Sequence, residues 1–202
     1  MSGDPIRLKL VVVGDSACGK SCLIGTFTRG YFPTDFVPTV YESYVIDLRI
    51  ENKPVELDLL DTADRELYDR LRPLVYPNTD GALVCFGINK PDSLENVQNW
   101  FSEVRHFCGP DIPIILVGTK TDLRYNPQTI EDLQRYGQVP AMPECGEEMA
   151  RLMGAKAYFE CSAQNKDGLD EVFECAVLSA LATRRTVLAA TPARRSRRCK
   201  IL

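Results

Sequence analysis

The sequence predicts an α/β fold, a mostly parallel sheet with helices on both faces. Three observations predict it. Strand-like runs alternate with helical patterns along the chain. Two of those runs, Gly81–Ile88 and Ile112–Val117, are almost continuously apolar, as strands covered on both faces require. A glycine-rich stretch, Gly14–Ser21, falls between the first strand and the first helix. Folds of this kind bind ligands there, at the C-terminal ends of their strands.

Taken in order, Arg7–Val13 is β-rich and runs into Gly14, and Cys22–Thr28 reads as a helix. Tyr44–Ile50 and Val55–Leu60 are two strands, with Glu51-Asn52-Lys53-Pro54 as the hairpin connection. Ser93–Phe107 is helical: Leu94, Val97, Phe101 and Val104 share a face, and Asp92 or Ser93 is placed to cap it. Glu144–Met153 and Leu169–Ala182 are further helices, with the strand Ala157–Cys161 between them. Arg124–Pro143 is polar, holds three prolines, and reads as an inserted loop with one short helix at Ile130–Tyr136. The segment after Thr183 lacks a packing pattern and is expected to be disordered.

The chain of 202 residues is long enough for one domain with a full core, and its 45% hydrophobic and 26% charged residues exclude collagenous and disordered classes. Its net charge of −4 hides an asymmetry. From Thr183 to Leu202 there are six arginines, one lysine and no acid, so a +7 tail follows a −11 body. A basic tail on an acidic body points to a membrane surface rather than nucleic acid, whose footprint lies on the folded domain. The eight cysteines form no C-x-x-C pair and no metal-ligand spacing, which suggests free thiols in a reducing cytosol. The one histidine, His106, sits in a helical stretch as a surface or packing residue. With no signal peptide and no run of 18 apolar residues, the chain is expected to stay on the cytosolic side, and any membrane contact must come from something other than a spanning helix.

Gly14-Asp15-Ser16-Ala17-Cys18-Gly19-Lys20-Ser21 fits G-x-x-x-x-G-K-[ST]. Such a turn exposes backbone N–H groups that cradle phosphates, and the helix dipole behind it adds positive potential. Lys20 is placed to reach the β- and γ-phosphates, and the Ser21 hydroxyl to bind Mg²⁺. A phosphate loop alone leaves ATPase, kinase and GTPase open, so the base-reading residues decide. Thr119-Lys120-Thr121-Asp122 follows a strand, and Asp122 can accept hydrogen bonds from guanine N1 and its exocyclic amine, which adenine does not offer. Cys161-Ser162-Ala163 ends another strand, where a backbone N–H can meet guanine O6. Either segment alone is weak. In order and at strand ends they are strong.

With these residues the chain resembles a Rho-family small GTPase from about Arg7 onward. Asp15 and Cys18 in the phosphate loop carry the resemblance, as do Val37-Pro38-Thr39-Val40-Tyr41-Glu42 and Tyr68-Asp69-Arg70-Leu71-Arg72-Pro73-Leu74. Thr119 resembles the Rac-like branch, and Arg124–Pro143 lies where Rho proteins carry an extra helix. The resemblance implies a P-loop small G domain over residues 1–182, a six-stranded mostly parallel sheet flanked by helices with the insert at about 124–143, and a flexible tail over 183–202. It implies GTP or GDP and Mg²⁺ as ligands, with a nucleotide-binding set running from Gly14, Asp15, Ser16, Ala17 and Cys18 through Gly19, Lys20, Ser21 and Cys22. Phe32 is then expected against the guanine ring, beside Thr119, Lys120, Asp122, Ser162 and Ala163. Ser21 and Thr39 are the implied metal ligands, Thr39 also touching the γ-phosphate, and Asp61 the implied ligand through water. Implied partners are effectors, guanine-nucleotide exchange factors, GTPase-activating proteins and dissociation inhibitors. Cys18 has two readings, a reactive thiol at a helix N-terminus and a packing residue.

The chain departs from the family after the metal aspartate. Where relatives read Asp-Thr-Ala-Gly-Gln-Glu, this chain has Asp61-Thr62-Ala63-Asp64-Arg65-Glu66. The glycine N–H touches the γ-phosphate in relatives and the glutamine orients the attacking water. Asp64 and Arg65 therefore occupy catalytic positions with the wrong chemistry, and slow hydrolysis of GTP to GDP and phosphate is expected. An Asp64–Arg65 ion pair that ignores the nucleotide is the competing reading, and it still lacks the water-orienting amide. Ser16, Phe36 and Gln164 are milder variants that leave nucleotide binding intact.

Cys199-Lys200-Ile201-Leu202 fits C-a-a-X with leucine last, which points to geranylgeranylation of Cys199. Arg194, Arg195, Arg197 and Arg198 just upstream supply a polybasic second signal for an anionic membrane. The expected location is the cytoplasmic face of a membrane, the plasma membrane above all, with a cytosolic pool. A nuclear-localisation run is the competing reading of the same arginines.

Overall fold

The computed structural model describes residues 4–33, 41–62 and 72–190, the side chains of 187–190 excepted. Six strands form one sheet: β1 (Ile6–Gly14), β2 (Tyr41–Ile50), β3 (Lys53–Thr62), β4 (Gly81–Gly87), β5 (Ile114–Thr119) and β6 (Ala157–Cys161), in the order β2-β3-β1-β4-β5-β6. Only β2 runs antiparallel to its neighbour; β3, β1, β4, β5 and β6 are mutually parallel. After β1 the chain fills one side of the sheet and then the other. The order therefore reverses beside β1, which is where doubly wound sheets open a ligand crevice.

Strand alternation explains the two cores. Leu8, Leu10 and Val12 of β1 point to one face, packed under α1 (Lys20–Arg29) and α6 (Leu169–Ala190) with Leu23, Ile24, Val172, Phe173 and Val177. Val11 and Val13 point to the other, against Val97, Trp100, Phe101 and Val104 of α3 (Val97–Cys108). All five β1 residues are buried, each contributing about 2 kcal/mol by leaving water. Phe27 stacks on Phe173 at 3.8 Å between ring centroids and ties α1 to α6.

The expected elements are present, with several boundaries moved. The hairpin turn is two residues, not four: Ile50 pairs with Lys53, and Glu51 and Asn52 both take left-handed φ values of 49° and 63°, as a turn matched to strand twist requires. Pro54 is drawn into β3 opposite Arg49. The helix expected over Ser93–Phe107 is two, α2 (Asp92–Glu95) and α3, separated at Asn96. Neither Asp92 nor Ser93 caps it. Pro91 occupies that position, and the Ser93 hydroxyl turns back to donate to the Lys90 carbonyl at 2.5 Å while accepting from the Gly87 N–H at 3.0 Å.

In the insert, α4 spans Pro127–Gln134, three residues earlier than expected. Asn126 caps it, accepting from the Thr129 N–H at 3.0 Å, and Pro127 fills the first turn, where its missing N–H costs nothing. α5 is Pro143–Met153. α6 continues through Ala190, so residues 183–190, expected to be disordered, are helical. Nothing from Thr183 to Ala190 is glycine or proline, and an established helix extends cheaply through such residues. Arg184 also donates to the Arg7 carbonyl at 2.6 Å. His106 is exposed, edge-on to Phe107. No helix among the described residues is long and apolar enough to cross a membrane.

Candidate nucleotide site

The C-terminal ends of β1, β5 and β6 bring the sequence-selected residues into one crevice. β1 ends at Gly14 with φ of +143°, where an added Cβ would sit 2.2 Å from the Cys85 carbonyl oxygen. Only glycine fits. The loop closes at Gly19, φ +97°, which stands at the N-cap of α1 without a capping side chain, and the first turn of α1 carries no acid. The amides that open α1 thus face outward beside a positive dipole end, an anion site built from main chain. Lys20 is buried, its ammonium donating to the carbonyls of Gly14 at 2.6 Å and Asp15 at 2.8 Å, so it lies across the loop's mouth.

Two of the expected metal donors are among the described residues. Ser21 is half-buried in the first turn of α1. Asp61 is fully buried near the end of β3, in register with Val12, and the Thr62 hydroxyl donates to the Val12 carbonyl at 2.8 Å. A hydroxyl and a buried carboxylate are hard oxygen donors, the type Mg²⁺ accepts together with phosphate oxygens and water, so these residues fit that ion. Thr39, the third expected ligand, lies outside the described residues, as do Phe36, Asp64, Arg65 and Cys199.

A cavity of about 250 Å³ opens between α1 and the ends of β5 and β6, lined by Phe32, Lys120, Asp122, Leu123, Ala163 and Gln164, with Cys22 on its wall. The residues expected to read a base are therefore together. They are also braced to one another. The Thr119 hydroxyl donates to the Cys18 carbonyl, with the Phe86 carbonyl at 3.0 Å as a second acceptor within reach, and Lys120 donates to the Ala17 carbonyl at 2.6 Å. Ser162 donates to Asp122 Oδ1 at 2.5 Å and accepts from the Asn165 N–H at 3.1 Å. Ser16 and Ala17 are exposed at the loop's tip.

Cys18 resolves to its packing reading. It is fully buried beneath the loop, and burial pushes its thiol above the ordinary value despite the opposing charges of Lys20 and Lys120. Burial likewise raises Cys22. All seven cysteines of the described residues are free thiols.

Two residues absent from the sequence-based set hold together the loops expected to read the base. Arg124, at the root of the insert, is 8% exposed and grips Glu160 of β6 with both terminal nitrogens, Nη1 donating to Oε2 at 2.8 Å. Its Nε donates at 3.1 Å to the carbonyl of Ala141, where the insert returns. The Tyr158 hydroxyl completes the cluster, donating to Glu160 Oε1 at 2.6 Å. Arg124 follows Asp122 by two residues and Glu160 precedes Ser162 by two, so the ion pair spans both base-reading loops. The only sequence trace was a lone carboxylate inside the strand Ala157–Cys161.

Two outcomes check this geometry. Asp122→Asn should weaken GTP binding and shift preference toward xanthine nucleotides, whose extra carbonyl needs a donor; unchanged GTP affinity in a competition assay sinks the base-reading assignment. Glu160→Ala strands a buried guanidinium, which costs about 3 kcal/mol in thermal or denaturant unfolding and speeds nucleotide release. A wild-type melting curve and release rate for that variant would remove the brace from the site.

The residues of this crevice, a phosphate loop braced against two loops expected to read a base, lie within a stretch that matches a known family. A family model described as the Ras family matches residues 9–182. The chain belongs to the Ras family, the small GTPases that bind GTP and GDP with Mg²⁺ and act as signalling switches.

Proposed function

We propose that this small GTPase is a Rho-type switch with impaired hydrolysis, carried to a membrane by a lipid on Cys199. One observation carries the impairment: Asp64 and Arg65 stand where hydrolysis needs a bare backbone N–H and a water-orienting amide. In sequence, Asp64 replaces with a carboxylate the glycine that relatives keep next to the γ-phosphate. At ~4 Å and an effective dielectric of ~20, one such repulsion is about 4 kcal/mol, and solvent exposure reduces it. Arg65 cannot accept a hydrogen bond from water, so the nucleophile is left unaligned. An arginine here could imitate the charge-stabilising finger of an activating protein, yet without an oriented water that charge has no efficient way to develop.

Nucleotide binding needs neither residue. The phosphate loop, Asp122 and Ser162 are complete, so the chain is proposed to load GTP and keep it. Two modes follow from the same lesion: a slow GTPase cycled by exchange and activating proteins, or a constitutively GTP-loaded module that recruits effectors. The missing amide favours the second. Support for the Rho type is the resemblance at Asp15, Cys18 and Thr119 and the insert at 124–143.

Support for the anchor is Cys199 in a C-a-a-X ending with four arginines just before it. One prenyl chain binds a bilayer reversibly, and each basic residue near an anionic leaflet adds up to ~1 kcal/mol.

Single-turnover phosphate release from protein preloaded with GTP tests the first half. The unmodified chain should be slow, and Asp64→Gly or Arg65→Gln alone should recover little. The double reversion should gain about a hundredfold, the scale on which a misplaced reactant costs rate. If the unmodified protein already matches the double revertant, hydrolysis is not impaired. For the anchor, Cys199→Ser should move the protein from the membrane to the soluble fraction, whereas neutralising Arg194, Arg195, Arg197 and Arg198 should weaken binding and its salt dependence. A Cys199→Ser protein that still sediments with protein-free vesicles would overturn prenylation as the anchor.

A further inference from the structure

The phosphate loop carries a charge that phosphate binding does not call for. Asp15, the second residue of a loop shaped to hold a polyanion, is a carboxylate. Its main chain serves the site, since its carbonyl accepts from the Lys20 ammonium at 2.8 Å. Its side chain is committed elsewhere. Oδ2 accepts from the Asn96 side-chain amide at 2.7 Å, and Oδ1 accepts from the Trp100 indole N–H at 2.8 Å.

The two donors are placed for this task. Asn96 marks the break before α3, and Trp100 follows it by four residues, which sets both side chains on one face of the helix. An indole has a single donor, and Trp100 gives it to Asp15. The ring cannot drift. It is 9% exposed, and the Arg72 guanidinium sits over it at 4.8 Å from the centroid. Arg72 is itself locked to Glu103 by two hydrogen bonds of 2.5 and 3.0 Å, and Glu103 also accepts from the Tyr76 hydroxyl at 2.6 Å.

We propose that Asn96 and Trp100 are positioning residues that hold the Asp15 carboxylate against α3, away from the phosphates, and so set how well the loop accepts the triphosphate relative to the diphosphate. The inference rests on the nucleotide-binding reading of Gly14–Ser21. Hydrogen bonds to an ionised acceptor are among the stronger ones, and two of them fix the side chain in one rotamer. Without them the carboxylate shares the loop with the ligand, and its repulsion grows with the ligand's charge. GTP carries more negative charge than GDP, so the loss falls unequally on the two. A purely structural role for α3 makes no such distinction.

The test is equilibrium binding of GDP and of a non-hydrolysable GTP analogue to the full chain with Mg²⁺. Asn96→Ala combined with Trp100→Phe should lower affinity for the analogue about tenfold more than affinity for GDP, the scale of one added charge–charge contact partly screened by water. Adding Asp15→Asn, which removes the charge, should recover most of that difference. Asn96→Ala alone, at an exposed position that leaves the core whole, should move the ratio the same way by about threefold, again reversed by Asp15→Asn. Equal losses for both nucleotides, an unmoved ratio in Asn96→Ala, or no recovery with Asp15→Asn would overturn the proposal and leave α3 as scaffold. If the unmodified chain binds neither nucleotide, the nucleotide-binding reading has itself failed, and this inference falls with it.

Discussion

The close approach of Gly14 to the Cys85 carbonyl governs the rest of the molecule's working end. Because no side chain intervenes, β1 can end flush beside β4 and turn at once into the loop that opens α1. Beneath that loop Cys18 and Cys85 are both fully buried, and burial pushes both thiols up. The buried Thr119 hydroxyl there has a main-chain carbonyl as its partner, as a buried polar group requires.

Preorganisation extends from there by hydrogen bonds between loops, which add to those within them. Thr119 and Lys120 reach back to the carbonyls of Cys18 and Ala17, and Ser162 reaches across to Asp122. Residues selected for contact with a ligand thus also fix one another's positions. A ligand entering such a site spends little binding energy on ordering it. The parallel register of β5 and β6, which sets Thr119 beside Cys161, is what makes the bracing possible.

Local pattern carried much of this into the sequence. The phosphate loop is contiguous, and the strands announce themselves through continuous or alternating apolar runs. What escaped was either too brief or too distant. The break at Asn96 was masked because Leu94, Val97, Phe101 and Val104 keep helical spacing across it. The start of α4 was signalled by Asn126-Pro127, a cap and a first-turn proline, but the apolar residues that anchor a helix reading come later. Contacts such as Arg124 with Glu160, 36 residues apart, and Trp100 with Asp15, 85 residues apart, are encoded only by the fold that joins them. Thr39, Asp64 and Arg65 were named from the family resemblance and Cys199 from its C-a-a-X ending, and all four lie outside the described residues.

The Arg124 cluster also makes the insert a thermodynamic partner of the base cavity. Both ends of the excursion are fastened at one guanidinium, which is fastened in turn to β6 just before the loop bearing Ser162. Binding free energies at two coupled sites are reciprocal: a protein that grips residues 125–140 more tightly when the cavity is filled must, by the same free energy, tighten the binding of whatever fills it. One that prefers the empty form must weaken that binding. The excursion is therefore a place where affinity can be set without any contact to nucleotide.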